Sequence, residues 1–227
     1  MIRPHDLADW AADYAYAVRR QASSLLPGAG ADAYRDGYRA PVVVVPGVYE
    51  SWRFLRPLIR AVHAHGHPVH VVDPLRSNRV PVAAGARLVG ERIAERGLMG
   101  AVLLAHSKGG LVGKHAMSFG PVADRIAGMV AVAAPFGGSR YARLFLTRTL
   151  RAFSPRDATI RRLGGALAAN ERIVSISARF DPHIPEGSVM PGARNVVLDR
   201  GGHFRILADP AVLREVLDLG ARAAAHA

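Results

Sequence analysis

Residues 101–110 read Ala101-Val102-Leu103-Leu104-Ala105-His106-Ser107-Lys108-Gly109-Gly110. Consecutive apolar residues without polar alternation predict a strand buried on both faces. A helical pattern follows at once, with Leu111, Val112, His115 and Ala116 at helical spacing. A serine on so sharp a strand-to-helix turn takes strained backbone angles, and its side chain projects above the sheet. Small neighbours are required because the strand and helix backbones pass close together. Ala105 and Gly109 meet that need, where the usual pattern has glycine at both places. The helix N-terminus also offers backbone N–H groups to a developing oxyanion. A serine that merely caps a helix would look the same in isolation, so the weight rests on what surrounds the turn.

Working outward, five more apolar runs appear: Val42–Val45, Val69–Val72, Met129–Ala133, Ile173–Ile176 and Val196–Leu198. Helical patterns lie between the runs. One carries Phe54, Leu55, Leu58, Ile59 and Val62; another carries Leu88, Val89 and Ile93. The last helix has Asp209 as N-cap, Pro210 at its first position, and Val212, Leu213, Val216 and Leu217 on one face. Strands alternating with helices predict an α/β architecture: a mostly parallel sheet of roughly six strands with helices on both faces. Residues 5–26 read as an amphipathic helix, with Leu7, Trp10, Ala11, Tyr14 and Val18 at helical spacing. The turn-rich Pro27-Gly28-Ala29-Gly30 follows it. No internal repeat or low-complexity linker interrupts the pattern, so residues 1–227 are expected to form a single domain.

Composition narrows the classes. A length of 227 residues suits one domain, and 50% hydrophobic residues exclude a disordered chain. With no cysteine, disulfides, thiol nucleophiles and thiolate metal sites are excluded. The formal charge is +12, but no Lys/Arg run is interleaved with aromatics, so a solvated basic surface is expected and no nucleic-acid partner. The N-terminal stretch lacks the continuous apolar segment of a secretory signal. No uninterrupted apolar run approaches the roughly 20 residues that span a bilayer. The expectation is a soluble, cytoplasmic protein, with room for peripheral contact with an anionic membrane surface.

In a parallel sheet, chemistry is sought in the loops beyond the carboxyl ends of the strands. A serine hydroxyl needs a base, and the base needs an orienting group, in the chain order serine, acid, histidine. After the fifth run comes Arg179-Phe180-Asp181-Pro182-His183; after the sixth, Asp199-Arg200-Gly201-Gly202-His203, where two glycines let His203 swing toward the sheet. Asp181 and His203 are the candidates. His183 is the competing base, and Asp199 and Glu186 are alternative acids. His63, His65, His67 and His70 fall in or near a helix-to-strand turn, and His106 is expected to pack beside Ser107. After the first run, Pro46-Gly47-Val48 lets the backbone approach a substrate closely, making the N–H of Val48 the second oxyanion donor beside that of Lys108. The same loop also reads as an ordinary strand-to-helix turn, with Ser51 or Glu50 as N-cap.

Together, Val42-Val43-Val44-Val45-Pro46-Gly47, Ala105-His106-Ser107-Lys108-Gly109-Gly110, Ala133-Ala134-Pro135-Phe136-Gly137-Gly138-Ser139, Asp181-Pro182-His183-Ile184-Pro185 and Gly202-His203 resemble the α/β-hydrolase superfamily. Within it, they resemble the small bacterial lipases and esterases of the lipase class 2 type. The matched segments lie within residues 42–203. The alanine at 105 also occurs among the small bacterial lipases it resembles. Lys108 stands where methionine or another apolar residue is common, and its charge beside the nucleophile would favour an anionic substrate. Phe136 replaces a frequent histidine.

The resemblance implies Ser107 as nucleophile, His203 as general base and then acid, and Asp181 as the orienting carboxylate, with no metal or organic cofactor. It further implies a small cap-like helical insertion at about 139–170. There Leu144, Phe145, Leu146, Leu150 and Phe153 would line an acyl groove, with Tyr49, His106 and Phe136 as further substrate contacts. That favours a lipophilic ester and a place in lipid metabolism. The insertion's basic, apolar spacing equally suits a core-packed helix with a solvated face, or one lying on an anionic membrane. Acyl transfer or thioester hydrolysis on the same triad, and a non-catalytic binding protein on the same fold, are the alternative readings.

Overall fold

A computed structural model describes residues 4–144 and 146–225. The chain runs α1 (Pro4–Leu25), β1 (Val42–Val45), α2 (Arg56–Ala64), β2 (Val69–Val71), α3 (Val82–Glu95), β3 (Ala101–His106), α4 (Lys108–Phe119) and β4 (Ile126–Val132). It continues through α5 (Arg148–Arg151), α6 (Ala158–Gly165), β5 (Ile173–Phe180), β6 (Arg194–Gly201) and α7 (Pro210–Ala224). The strands form one sheet in the order β2-β1-β3-β4-β5-β6, and every pairing is parallel.

Successive strand residues feed opposite faces of this sheet. Val43, Val45, Leu103, Ala105, Met129 and Ala131 pack with α3 and α4 through Val89, Ile93, Leu111 and Val112. Val42, Val44, Val102, Leu104, Val130 and Val132 pack with α2 and α7 through Ile59, Val62, Val212 and Val216. Burial on both sides explains the unbroken valine-rich runs. β6, at the sheet edge, is only partly covered. The chain lays β2 on one side of β1 and β3 on the other, so the topological switch point falls between β1 and β3. A crevice opens there at the carboxyl ends of the strands. Among the described residues, the non-glycine positions with positive φ are Tyr49, Arg76, Asn78, Ser107 and Ala133. All five lie just past the carboxyl ends of β1 to β4, where backbone strain collects.

The N-terminal helix forms as expected, but its polarity is inverted. Leu7, Trp10, Tyr14 and Val18 are exposed, while Asp6 and Asp13 are buried. α1 lies against β6 and the one-turn helices at 52–55 and 205–208, held by hydrogen bonds from its buried acids together with ring contacts of Tyr14 to His183 and Phe204. No helix among the described residues is long and apolar enough to cross a membrane.

The tightest point in the framework is Gly109. A Cβ there would sit 2.1 Å from the Val45 carbonyl oxygen and 3.0 Å from that of Pro46, both backbone atoms that cannot swing aside. Gly109→Ala should therefore lower stability by about 3 kcal/mol. A urea-unfolding midpoint unchanged from wild type would contradict this account of the turn.

Candidate active site

The approach of α4 to β1 decides how Ser107 is presented. Ser107 holds φ 50° and ψ −121° between β3 and α4, and its N–H donates to the Val132 carbonyl at 2.8 Å. Its side chain therefore points into the crevice. There, Ser107 Oγ lies 3.0 Å from His203 Nε2, and His203 Nδ1 lies 2.7 Å from Asp181 Oδ2. A carboxylate only accepts, so Nδ1–H donates to Asp181 and leaves Nε2 to accept the Ser107 hydroxyl proton. The other oxygen of Asp181 accepts the N–H groups of His183 at 2.8 Å and Ile184 at 3.1 Å, so the turn after β5 orients its own acid.

Burial alone would push the His203 imidazole down, but the Asp181 charge and hydrogen bond, with Glu50 and Asp13 beyond, raise it above the ordinary histidine range. Burial likewise opposes ionisation of Asp181, yet His203 and the His183 N–H hold its carboxyl below the usual value. His183, the competing base, accompanies His203 without reaching the serine. Its ring lies 4.8 Å from that of His203, and burial with the neighbouring His203 pushes it down to about 4. The alternative acids point elsewhere: Glu186 pairs with Arg140, and Asp199 with Arg179.

The loop after β1 faces this group. As the first residue of α4, Lys108 has a backbone N–H with no acceptor inside the helix. Tyr49, at φ 63°, donates its N–H to Ser77 O at 2.7 Å, and Asn78 Nδ2 donates to Pro46 O at 2.7 Å. The loop after β2 thus braces the loop that carries Val48. Of the two N-cap candidates, Ser51 takes the position before the one-turn helix at 52–55, while Glu50 accepts the Gly47 N–H at 2.8 Å and pairs with His106 Nδ1 at 2.8 Å. His106 Nε2–H donates to the His203 carbonyl at 3.1 Å. This Glu50–His106 pair escaped the sequence reading, because its only trace is a histidine placed just before the serine.

No family model matches the chain, and no curated protein matches it. Solved structures do. The mature lipase BlEst2 of Bacillus licheniformis superposes with a TM-score of 0.62 at 13% identity, over 80% of this chain and 91% of that one. A monoacylglycerol lipase from Paleococcus ferrophilus gives 0.55 at 18% identity over 86% and 99%. An α/β-hydrolase-fold protein from Burkholderia ambifaria gives 0.54 at 17% over 80% and 91%. The chain has the α/β-hydrolase fold. The solved structures it resembles include lipases and one described as an aryl esterase, from Burkholderia cenocepacia.

As in other open parallel sheets, a cavity opens over the carboxyl edge. It measures about 390 Å³ and has Ser107 and His203 on its wall. Tyr49, Leu150 and Phe153, expected as substrate contacts, line it together with Val48, but four other expected contacts do not. His106 is fully buried behind His203, Phe136 packs in the core beside α4, and Leu144 and Leu146 are 72% and 99% exposed outside the cavity. The first two are claimed by hydrogen bonding and core packing, and the other two lie in and just after a short exposed helical turn. Phe145 lies outside the described residues. The unexpected wall comes from α1, through Ala17, Val18 and Gln21, and from Phe54 and Phe204. Among the described residues no cluster of three or more His, Cys, Asp or Glu could hold a metal ion.

The charge of Lys108 does not reach the cavity. Its Nζ donates to Asn78 O at 2.8 Å and to Val80 O, tying α4 to the bracing loop, so it lends no preference for an anionic substrate. Lys114 is buried on the same helix, with Met190 Sδ at 3.4 Å and the Phe136 ring centroid at 5.8 Å. Burial brings both ammonium groups down to about 8. Between that value and the ordinary lysine range the unfolded chain binds more protons, so these two groups make stability rise with pH. Lys114→Met should raise stability at pH 7, by about 1 kcal/mol, and reduce that rise. Urea midpoints at pH 7 and 10 that move in parallel for both proteins would contradict it.

Proposed function

We propose that this protein is a serine hydrolase that cleaves carboxylic esters bearing a lipophilic acyl group, through an acyl-enzyme. The observation that carries the reading is the hydrogen-bonded sequence Ser107–His203–Asp181, at 3.0 and 2.7 Å, on the wall of an apolar cavity. In the first half-reaction Ser107 Oγ attacks the ester carbonyl carbon as its proton passes to His203 Nε2. The oxyanion of the tetrahedral intermediate is received by the N–H groups of Val48 and Lys108. Collapse of the intermediate breaks the C–O bond to the alcohol, which leaves with the proton from His203. Water then attacks the acyl-enzyme by the same route and releases the acid. Asp181 stays ionised throughout and holds the imidazole in the tautomer that the first step requires.

Leu150, Phe153, Val18 and Phe54 offer the acyl chain an apolar wall. Substrate delivery from a lipid surface is part of the reading. Val18, on the cavity wall, is 67% exposed, and Tyr49 is also exposed at its rim, with Arg79 over the Tyr49 ring. Exposed apolar groups among arginines suit an anionic interface.

Ser107→Ala should reduce hydrolysis of medium-chain aryl esters by roughly three orders of magnitude or more; an equal rate in the two proteins would sink the assignment. Product analysis with alcohol or thiol acceptors separates hydrolysis from acyl transfer. The free base must be neutral to act, and His203 is raised. The acid limb of kcat/KM is therefore expected above pH 6.5, about the ordinary histidine value. A limb below that value would contradict the electrostatics.

A further inference from the structure

The histidine loop is held by a residue remote in sequence from every motif. Asp13, fully buried on α1, accepts three consecutive backbone N–H groups: that of His203 at 2.9 Å through Oδ2, and those of Phe204 at 2.8 Å and Arg205 at 2.7 Å through Oδ1. Gly202 makes this approach possible, because at φ +123° its missing Cβ would stand 2.5 Å from Asp13 Oδ1. One turn earlier on α1, Asp9 accepts the Gly201 N–H at 2.9 Å and pairs with Arg205 at 2.6 Å. The backbone of His203 is then pinned on both sides, its N–H by Asp13 and its carbonyl by His106 Nε2–H at 3.1 Å. The bond to Asp181 fixes which way the ring turns, and the pinned backbone fixes the place of the Cα and Cβ from which the ring reaches Ser107.

We propose that Asp13 is a positioning residue for catalysis, which sets the backbone of His203 so that Nε2 meets Ser107 Oγ. The proposal rests on the esterase reading of this site. A solvated acidic face of α1 would not bury a carboxylate completely or direct both its oxygens at one loop. Three charge-assisted bonds to a carboxylate are well above what a surface acid contributes. The carboxylate of Asp13 also faces the imidazole's charge. The groups around that imidazole are Asp181 and Glu50, which favour its protonated form as Asp13 does, and His183 and His106, which adjoin its ring.

Displacement of a catalytic group by about 1 Å can cost on the order of 10²-fold in rate. Asp13→Ala is therefore expected to lower kcat by on the order of 10²-fold, with KM within about threefold of wild type. Asp13→Asn, which keeps the shape and one acceptor oxygen, should fall between the two. In Asp13→Asn the imidazole of His203, titrated by NMR without substrate, should also lose protons at lower pH than in wild type. Asp6→Asn serves as control. It removes an acid of the same helix, seven residues before Asp13, whose carboxylate accepts from Arg179, and is expected to alter stability while sparing kcat. A folded Asp13→Asn protein with wild-type kcat and an unmoved His203 titration would overturn the proposal. So would an Asp6→Asn protein with the same loss of kcat, since that would mark a general effect of loosening α1. If Asp13→Ala does not fold, Asp13→Asn and the titration carry the test. Activity that survives Ser107→Ala would overturn the esterase reading, while the NMR titration would still decide whether Asp13 governs the histidine.

Discussion

The close passage of α4 over the end of β1 governs the arrangement of the site. Only hydrogen fits between Gly109 and the Val45 carbonyl, so the chain must reverse within one residue, and that residue is Ser107 at positive φ. Everything polar in the crevice is placed relative to this turn. The α4 N-terminus follows because the helix has to begin at once, and its first N–H is free because no turn precedes it. The loop of Val48 lies alongside because β1 and β3 are sheet neighbours. The switch point between β1 and β3 thus delivers a hydroxyl and two amide donors to one place as a result of strand order.

The histidine arrives by a different route. β6 is the edge strand, partly exposed, and the loop beyond it sets Ile206 and Leu207 into the core with Phe204 packed against it. Buried acids hold its polar groups. Asp181 holds the ring, Asp13 the backbone N–H groups, and Glu50 acts through His106 on the carbonyl. Burying carboxylates is expensive unless donors meet them, and here they do: Asp181 takes two backbone N–H groups besides the imidazole, Asp13 takes three N–H groups, and Glu50 takes the Gly47 N–H and His106 through one oxygen. The price of that network is offset by a second effect. Negative charge gathered around one imidazole favours the cation that forms when it accepts a proton, which is the charge development an acyl-transfer step demands.

Much of this was legible before any coordinates, because it is written in local patterns. Valine runs buried on two faces, a serine between strand and helix, an aspartate stopped by Pro182, and a histidine after two glycines each follow from residues close in sequence. What escaped was polarity and pairing across the chain. Leu7, Trp10, Tyr14 and Val18 have the spacing of a packing face, yet they face outward. The pairing of Asp13 with His203 spans 190 positions, and periodicity carries no information about a partner that distant. Hydrogen bonds to backbone N–H groups are the least visible of all, since any residue except proline supplies one. The same limit misplaced Phe136 and Leu144: both have the apolar character of a substrate wall, but one belongs to the core and the other to an exposed turn.

The inverted helix joins these strands of reasoning. An ordinary amphipathic helix would turn its apolar stripe inward and leave its acids in water. In α1 the acids at 6, 9 and 13 are spent on Arg179, Arg205 and the histidine loop, so the apolar side chains have nowhere to face but outward or toward the cavity. Ala17, Val18 and Gln21, one to two turns after Asp13, form part of the cavity wall. One rigid element therefore contacts both the loop that carries the proposed base and the wall that would hold an acyl chain. In such a helix, geometry at the base and shape at the acyl wall are not independent, because a rotation that withdraws Asp13 from the His203 backbone also moves Val18 across the cavity mouth.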